Sequence, residues 1–396
     1  MNKQIVRRLF PLVFVLMTGV LYVFCFANDY PVKLFRSAST NENLIISPIV
    51  TSFSFAILFL GARGKTANEI SEVFGFDNDK GQFASRMKST LETLNDISTK
   101  GKVKLFYAAM LWPSDRKQIQ NSFSEEVHSV FGIDIQPLNF SNSGGACQKI
   151  NNWVSEQTQG TFKSIISPSK IKERTRGIMT GALYFKGKWQ LPFSVSQTKP
   201  RIFYLKRTDS VSVPTMYQDT KYDYYENENM KVLVLGYASL RISMAILLPS
   251  SLNGLSALEN SLTMDSLQNW LTDAREREVK VFLPRFKFTY NTDMKRNLSK
   301  MGIKTVFDST AADLTGISDS LFIDEAIQES RIEVNEEGTE ATSVGLDAVL
   351  RSITGLESKP EPIPVFRANH PFLFVIREYS TNAILFFGKV VNPLKT

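Results

Sequence analysis

The stretch from Ser47 to Gly61, SPIVTSFSFAILFLG, carries no charged side chain. Ser47-Pro48 is a helix start and Gly61 a stop, so the run reads as a helix that is apolar almost all the way round. A helix of that kind has no solvent face and must be enclosed by other layers. The chain is therefore committed to a large core, and 396 residues that are 43% apolar and 21% charged can supply it as one large domain or two smaller ones. A short strand over the preceding NLII and a further helix starting near Thr66 complete the region. GARGKT, residues 61–66, resembles half of a phosphate-binding loop, but Phe59 stands where the first glycine is required.

KVKLFYAAMLWP reads as a strand, while SFSEEVHSVFG and CQKINNWVSEQTQG read as amphipathic helices, each closed by glycine. From Gly177 the character changes. RGIMTGALYFKGKW, KVLVLGYA, ISMAILLP, VKVFLPRFKFTY, RIEVNE, FLFVIRE and AILFFGKVV are seven strand candidates separated by turns or helices. Helices early and strands late, without regular alternation, predict an α+β architecture in which both halves share one core.

Much chemistry is excluded by composition. The chain has two histidines, His128 and His370, which removes most Ser-His or Cys-His catalysis and leaves no zinc-type cluster that does not lean on carboxylates. His370, ahead of Pro371 and an apolar run, reads as a structural histidine at a strand start, and His128 as a surface residue. No enzyme, metal site or cofactor is expected. The net charge of +7 comes from 46 basic residues scattered among 39 acids, so nucleic acid is not an expected partner.

Lys3, Arg7 and Arg8 precede an apolar stretch from Leu9 to Ala27, with Cys25 and Ala27 as small residues before Asn28. Residues 1–27 thus read as a signal peptide of a secreted protein, or alternatively as a membrane anchor through residues 9–27 that keeps the protein on the cell surface. Loss of Cys25 with the signal would leave Cys147 unpaired, and the fold would rest on its core rather than on disulfides. Asn139 in NFS and Asn297 in NLS match the glycosylation acceptor pattern.

NEEGTEATSVG, residues 335–345, fits neither a core strand nor a loop. Thr339, Ala341, Ser343 and Gly345 are all small and share one parity, so in an extended chain one face would be uniformly small. Such a face can slide into a packed layer where large side chains would each clash by roughly 1 to 3 kcal/mol. Leu346, Val349, Leu350 and Ile353 then encode a short helix, and Pro360, Pro362 and Pro364 an extended arm.

VNEEGTEATS resembles the hinge of the serpins, and FRANHPFLFVIRE with AILFFGKVVNP resembles their C-terminal strands. NLIISP, LGARGKTANEI, INNWVSEQTQG, YFKGKW, FLPRFKF and ADLTGIS extend the resemblance, in the family's order, over nearly all of the chain after the N-terminal segment. The resemblance implies a single domain over 28–396 with three β-sheets and about nine helices, a hinge over 335–345 and an exposed reactive loop over 338–366. It further implies a monomeric suicide inhibitor. A trypsin-like serine protease attacks the loop, forms a covalent acyl-enzyme, and is trapped as the freed hinge inserts into the large sheet.

Glu336, Glu337, Gly338, Thr339, Glu340, Ala341, Thr342 and Ser343 match the hinge of inhibitory members. The family's spacing selects Ser352 as the primary specificity residue, yet Arg351 is the better partner for a trypsin-like pocket. The reactive bond is therefore read as Arg351–Ser352, with Leu350 as a chymotrypsin-type alternative. Three departures stand out: Val50, Gly181 and Gln328 where the family commonly has a serine, an asparagine and a histidine; Asp347 on the inward parity; and a long segment from Ser352 to Pro371. They motivate a second reading, a carrier on the same fold that is cleaved without trapping. SPSKIKERTR, residues 167–176, reads as a solvated face, with a polyanion or membrane surface as a further partner.

Overall fold

The chain's fold is given by a computed structural model that describes residues 29–99, 103–337 and 362–395. The N-terminal apolar run and the residues from Gly338 to Glu361, which include most of the hinge and the Arg351–Ser352 bond, lie outside the described residues. The helices are α1 (Tyr30–Ala38), α2 (Pro48–Gly61), α3 (Gly64–Phe74), α4 (Lys80–Thr99), α5 (Asn121–Phe131), α6 (Ser143–Gln157), α7 (Leu255–Ser261), α8 (Met264–Asp273) and α9 (Met294–Met301). The strands are β1 (Leu44–Ile46), β2 (Val103–Pro113), β3 (Gly177–Gly187), β4 (Lys199–Lys206), β5 (Asp209–Glu226), β6 (Met230–Gly236), β7 (Ile242–Pro249), β8 (Arg275–Pro284), β9 (Phe286–Asp293), β10 (Glu325–Val334), β11 (Val365–Arg367), β12 (Phe372–Glu378) and β13 (Ile384–Val390).

Helix α2 is buried along its whole length and packs against β2, β3 and β13, so the helical and strand-rich halves do share a core. Its start is capped as the sequence predicts, Ser47 Oγ accepting from Val50 N. Four strands form one sheet in the order β2-β3-β10-β9. Helix α6 covers its outer face through a separate apolar cluster that includes Trp112, Cys147, Ile150 and Ile327. The remaining nine strands form one path, β1-β13-β12-β7-β6-β5-β8-β11, with β4 on β5. Two of the three expected sheets are thus joined, because β5 runs for 18 residues and pairs with β4 at its start and β6 at its end.

Two details correct the sequence reading. VKVFLPRFKFTY is two strands: β8 belongs to the nine-strand path and β9 to the four-strand sheet. The chain changes sheets at Pro284-Arg285, where proline has no N–H for a ladder and Arg285 N donates to Pro214 O at 2.9 Å. β4 and β5 went unread because their exposure alternates along the strands, and continuous apolar runs do not mark strands of that kind. Cys147 is buried and unpaired, and His370 is buried with Nε2 2.8 Å from Pro249 O. His128 is exposed beside Asp134.

The glycosylation reading divides. Asn139 is exposed, whereas Asn297 lies on α9 with 6% of its surface accessible. A glycan at Asn297 would have to displace the packing around α9, so the structure corrects that assignment.

Candidate functional site: a parallel strand pair closed by a latch

β3 and β10 are parallel neighbours, Glu325–Ile332 lying in register with Ile178–Phe185. Each is antiparallel to its outer neighbour, β2 or β9. A strand running back from the end of β10 and entering between β3 and β10 would be antiparallel to both. It would exchange one parallel ladder for two antiparallel ones, which are somewhat more stable per residue. The chain that leaves β10 at Val334 is described as far as Glu337, and the small-faced segment follows it in sequence.

Midway along the gap, Gln328 on β10 faces Gly181 on β3. The Gln328 amide reaches across to the start of α2: Oε1 accepts from Ser47 N at 2.9 Å, and Nε2 donates to Ser47 O at 2.9 Å and to Thr51 Oγ1 at 2.8 Å. All of these groups are buried. Gly181 has no room for a side chain, since a Cβ there would lie 2.8 Å from Val50 Cγ1 and 3.3 Å from Ser54 Oγ. Val50, Gly181 and Gln328 therefore pack as one unit: the valine methyl occupies the space above the glycine, and the glutamine amide clips β10 to the start of α2.

That clip predicts a large stability effect. Gln328→Leu removes three hydrogen bonds and leaves Ser47 N–H buried without this partner, so a loss of about 3 kcal/mol is expected in urea unfolding. A change below about 1 kcal/mol would show that the amide contributes little.

At the mouth of the gap the chain is latched to the end of β3. Trp189 Nε1 donates to Asn335 O at 2.8 Å and Trp189 N to Glu337 O at 3.3 Å. Its indole is buried and stacks on Tyr237 with centroids 4.5 Å apart, which fixes the donor's direction. Glu336 is buried; Thr198 Oγ1 donates to its Oε1 at 2.6 Å, and Arg285 Nε lies 3.4 Å from its Oε2. Lys186 on β3 reaches Glu337 Oε2 at 2.8 Å and Glu333 Oε1 at 3.4 Å, and Lys287 on β9 reaches Glu333 Oε2 at 2.8 Å. The hydrogen bond to Glu337 holds the Lys186 ammonium above its ordinary pKa, against the effect of burial. Burial would raise the pKa of Glu333, but the two lysines outweigh it and hold the carboxyl low. Cations and acids thus alternate from β3 through β10 to β9.

The outer face of β10 carries a different charge. Glu329 lies on the same face as Ile327, which packs with Phe162 and Ile165 in the cluster below α6, and Arg331, which donates to Thr161 O at 3.5 Å. Glu329 Oε2 is buried with no hydrogen-bond partner among the described residues. Burial pushes its carboxyl up to about 7, partly opposed by Arg331. An acid whose pKa is higher folded than unfolded binds more protons in the native state. Its stabilising contribution is complete below about 4.5 and is lost as pH rises through about 7. Glu329→Gln should therefore raise Tm over wild type at pH 8 and match it near pH 4; equal Tm values at pH 8 would refute this.

The structure brings together Glu336 and Glu337 of the predicted hinge. Gly338, Thr339, Glu340, Ala341, Thr342 and Ser343 lie outside the described residues. Sequence reasoning did not single out the latch residues Lys186, Trp189, Thr198, Arg285 and Lys287. The signal was present for four of them, which stand in YFKGKW and FLPRFKF; Thr198 had none. Within SPSKIKERTR, Lys170 pairs with Glu325 and Glu173 with Arg116, in keeping with a solvated face. Among the described residues no His, Cys, Asp and Glu cluster could hold a metal, and no helix is long and apolar enough to cross a membrane.

A family model described as Serpin (serine protease inhibitor) matches residues 26–393. The chain is 34% identical over 381 residues to a leukocyte elastase inhibitor of Xenopus tropicalis, covering 92% of this chain and 98% of that one. It is 33% identical to a serine protease inhibitor of Cyanea capillata, covering 89% and 93%. Among solved structures it is similar to uncleaved ovalbumin, with a TM-score of 0.84, 30% identity, and coverage of 94% of this chain and 100% of that one.

Proposed function

The chain belongs to the serpin family, and from that premise we propose that it is a suicide inhibitor of trypsin-like serine proteases, cleaved at Arg351–Ser352 and exported from the cell. One observation carries the reading: β3 and β10 are parallel neighbours, and the chain leaving β10 is latched across the mouth of their gap. In this mechanism the protease serine attacks the Arg351 carbonyl, the Arg351–Ser352 bond breaks, and the new amine leaves with the C-terminal segment. The hinge is then joined to the fold only at its N-terminal end, through the latched residues Asn335, Glu336 and Glu337. The latch opens, Thr339 and the small residues after it enter between β3 and β10, and each new residue gains backbone partners on both sides. The acylated protease is carried along and distorted before water can release it. The protein itself performs no catalysis.

The packed unit of Val50, Gly181 and Gln328 favours the second reading, a carrier that is cleaved without trapping. Insertion must break the Gln328 clip or carry it along, and that sets a barrier under the gap. Mixing the purified protein with trypsin, separating the products under denaturing conditions and weighing the released fragment decides between them. A stable high-mass complex with a fragment that starts at Ser352 is expected. Clean cleavage with trypsin still active would overturn the inhibitory reading.

A further inference from the structure

A cavity of about 360 Å³ lies where β4, β5, β8 and β11 meet, close in sequence to the latch residues Thr198 and Arg285. Its floor is set by register: Phe282 of β8 stands opposite Tyr217 of β5 on one side and Arg367 of β11 on the other. The Arg367 guanidinium carbon is 4.8 Å from the Phe282 ring centre, and that of Arg201, from β4, is 4.6 Å from the same ring. Tyr204 N donates to Asn369 O at 2.8 Å and ties β4 to the chain after β11, which closes one wall.

The two cations sharing one aromatic ring lie within about 10 Å of each other, comparable to the screening length in physiological salt. No acidic side chain lines the cavity. Neither arginine forms an ion pair with a described residue, and Arg201 Nε is buried with no hydrogen-bond partner. Like charges brought together repel, and no acid lines the cavity to offset them, so this corner holds an unopposed positive charge that one anion would offset. Stacking on Phe282 holds the guanidinium groups in place, and their donor forks suit oxyanions.

We propose that Arg201 and Arg367, held on Phe282, form a binding site for a tetrahedral oxyanion, sulfate or phosphate, either free or as the sulfate ester of a sugar. The site is separate from the basic stretch 167–176 and does not depend on protease inhibition.

The test is equilibrium dialysis of the full chain against labelled sulfate, with ionic strength held constant by chloride. Wild type is expected to bind one sulfate saturably per chain. Arg201→Gln and Arg367→Gln should each weaken binding at least tenfold, as should Arg201→Lys, which keeps the charge and loses the fork. Circular dichroism and Tm in chloride check that each variant is folded; Arg367 is exposed, so its variant carries the test if those at Arg201 do not fold. Absence of saturable binding to wild type, or unchanged affinity in the folded variants, overturns the proposal. Competition by a sulfated disaccharide identifies the source. Displacement at tenfold lower concentration than inorganic sulfate assigns the site to a sugar ester, and equal or weaker displacement assigns it to the free ion.

Discussion

Arg351→Ala should lower the rate constant for trypsin inhibition by 100-fold or more while Tm stays within a degree of wild type. A trypsin-like pocket holds a buried acid, and removing its cation leaves that acid unpaired at a cost of about 3 to 5 kcal/mol, or roughly two to four powers of ten in rate. Progress curves of trypsin activity at several inhibitor concentrations measure the constant directly. Unchanged inhibition would move the primary residue to Ser352 or Leu350, and the mass of the released fragment would then identify the bond. A collapse of Tm would mean that the side chain supports the fold, and the kinetic loss could not be read as specificity.

Thr339→Arg should convert the inhibitor into a substrate. If the small parity faces inward on insertion, position 339 is the first of its face to enter. It would meet the inward row of β10, which includes Ile332 and Val334, and Phe185 of β3, all of which are buried. A guanidinium there would be buried among apolar side chains and would carry a desolvation penalty of several kcal/mol. Cleavage precedes insertion and should remain fast, so the variant is expected to be cut while more than about ten molecules are consumed per protease trapped. A stoichiometry near one, as for an efficient inhibitor, would mean that insertion does not proceed through this face. Together the two variants separate recognition from trapping: the first removes attack by the protease, the second removes only the insertion that comes after it.

Gln328 shows why the gap beneath the insertion path was only half legible. The sequence marks position 328 as a departure, together with Val50 and Gly181, and suggests that the three change together. It does not say what the glutamine binds. Its partners, Ser47 and Thr51, are 281 and 277 positions away, and only the parallel register of β3 and β10 over α2 puts them in reach. The latch has the same character. Glu336 and Glu337 are read locally as hinge residues, but what makes them a latch is Trp189, Thr198, Arg285 and Lys186 arriving from three other segments.

Strands were most legible where both faces are buried and harder to read where one is wet; β9 also alternates and was read only as part of one longer run with β8. β7, β12 and β13 are continuous apolar runs and are recognised at once, whereas β4 and β5 alternate and carry charge. The split of β8 from β9 was hidden because a chain that changes sheets at Pro284 keeps the same apolar content on both sides.

The amino-acid sequence by itself determined the enclosed helix α2, the α+β class and the small-faced segment, because each rests on side chains within a few turns or strand lengths of one another. Tertiary structure alone decided that β3 and β10 run parallel, that one amide clips β10 to α2, and that two arginines share Phe282. Those features rest on groups brought within 5 Å of one another from distant parts of the chain, and local periodicity carries no record of such distances.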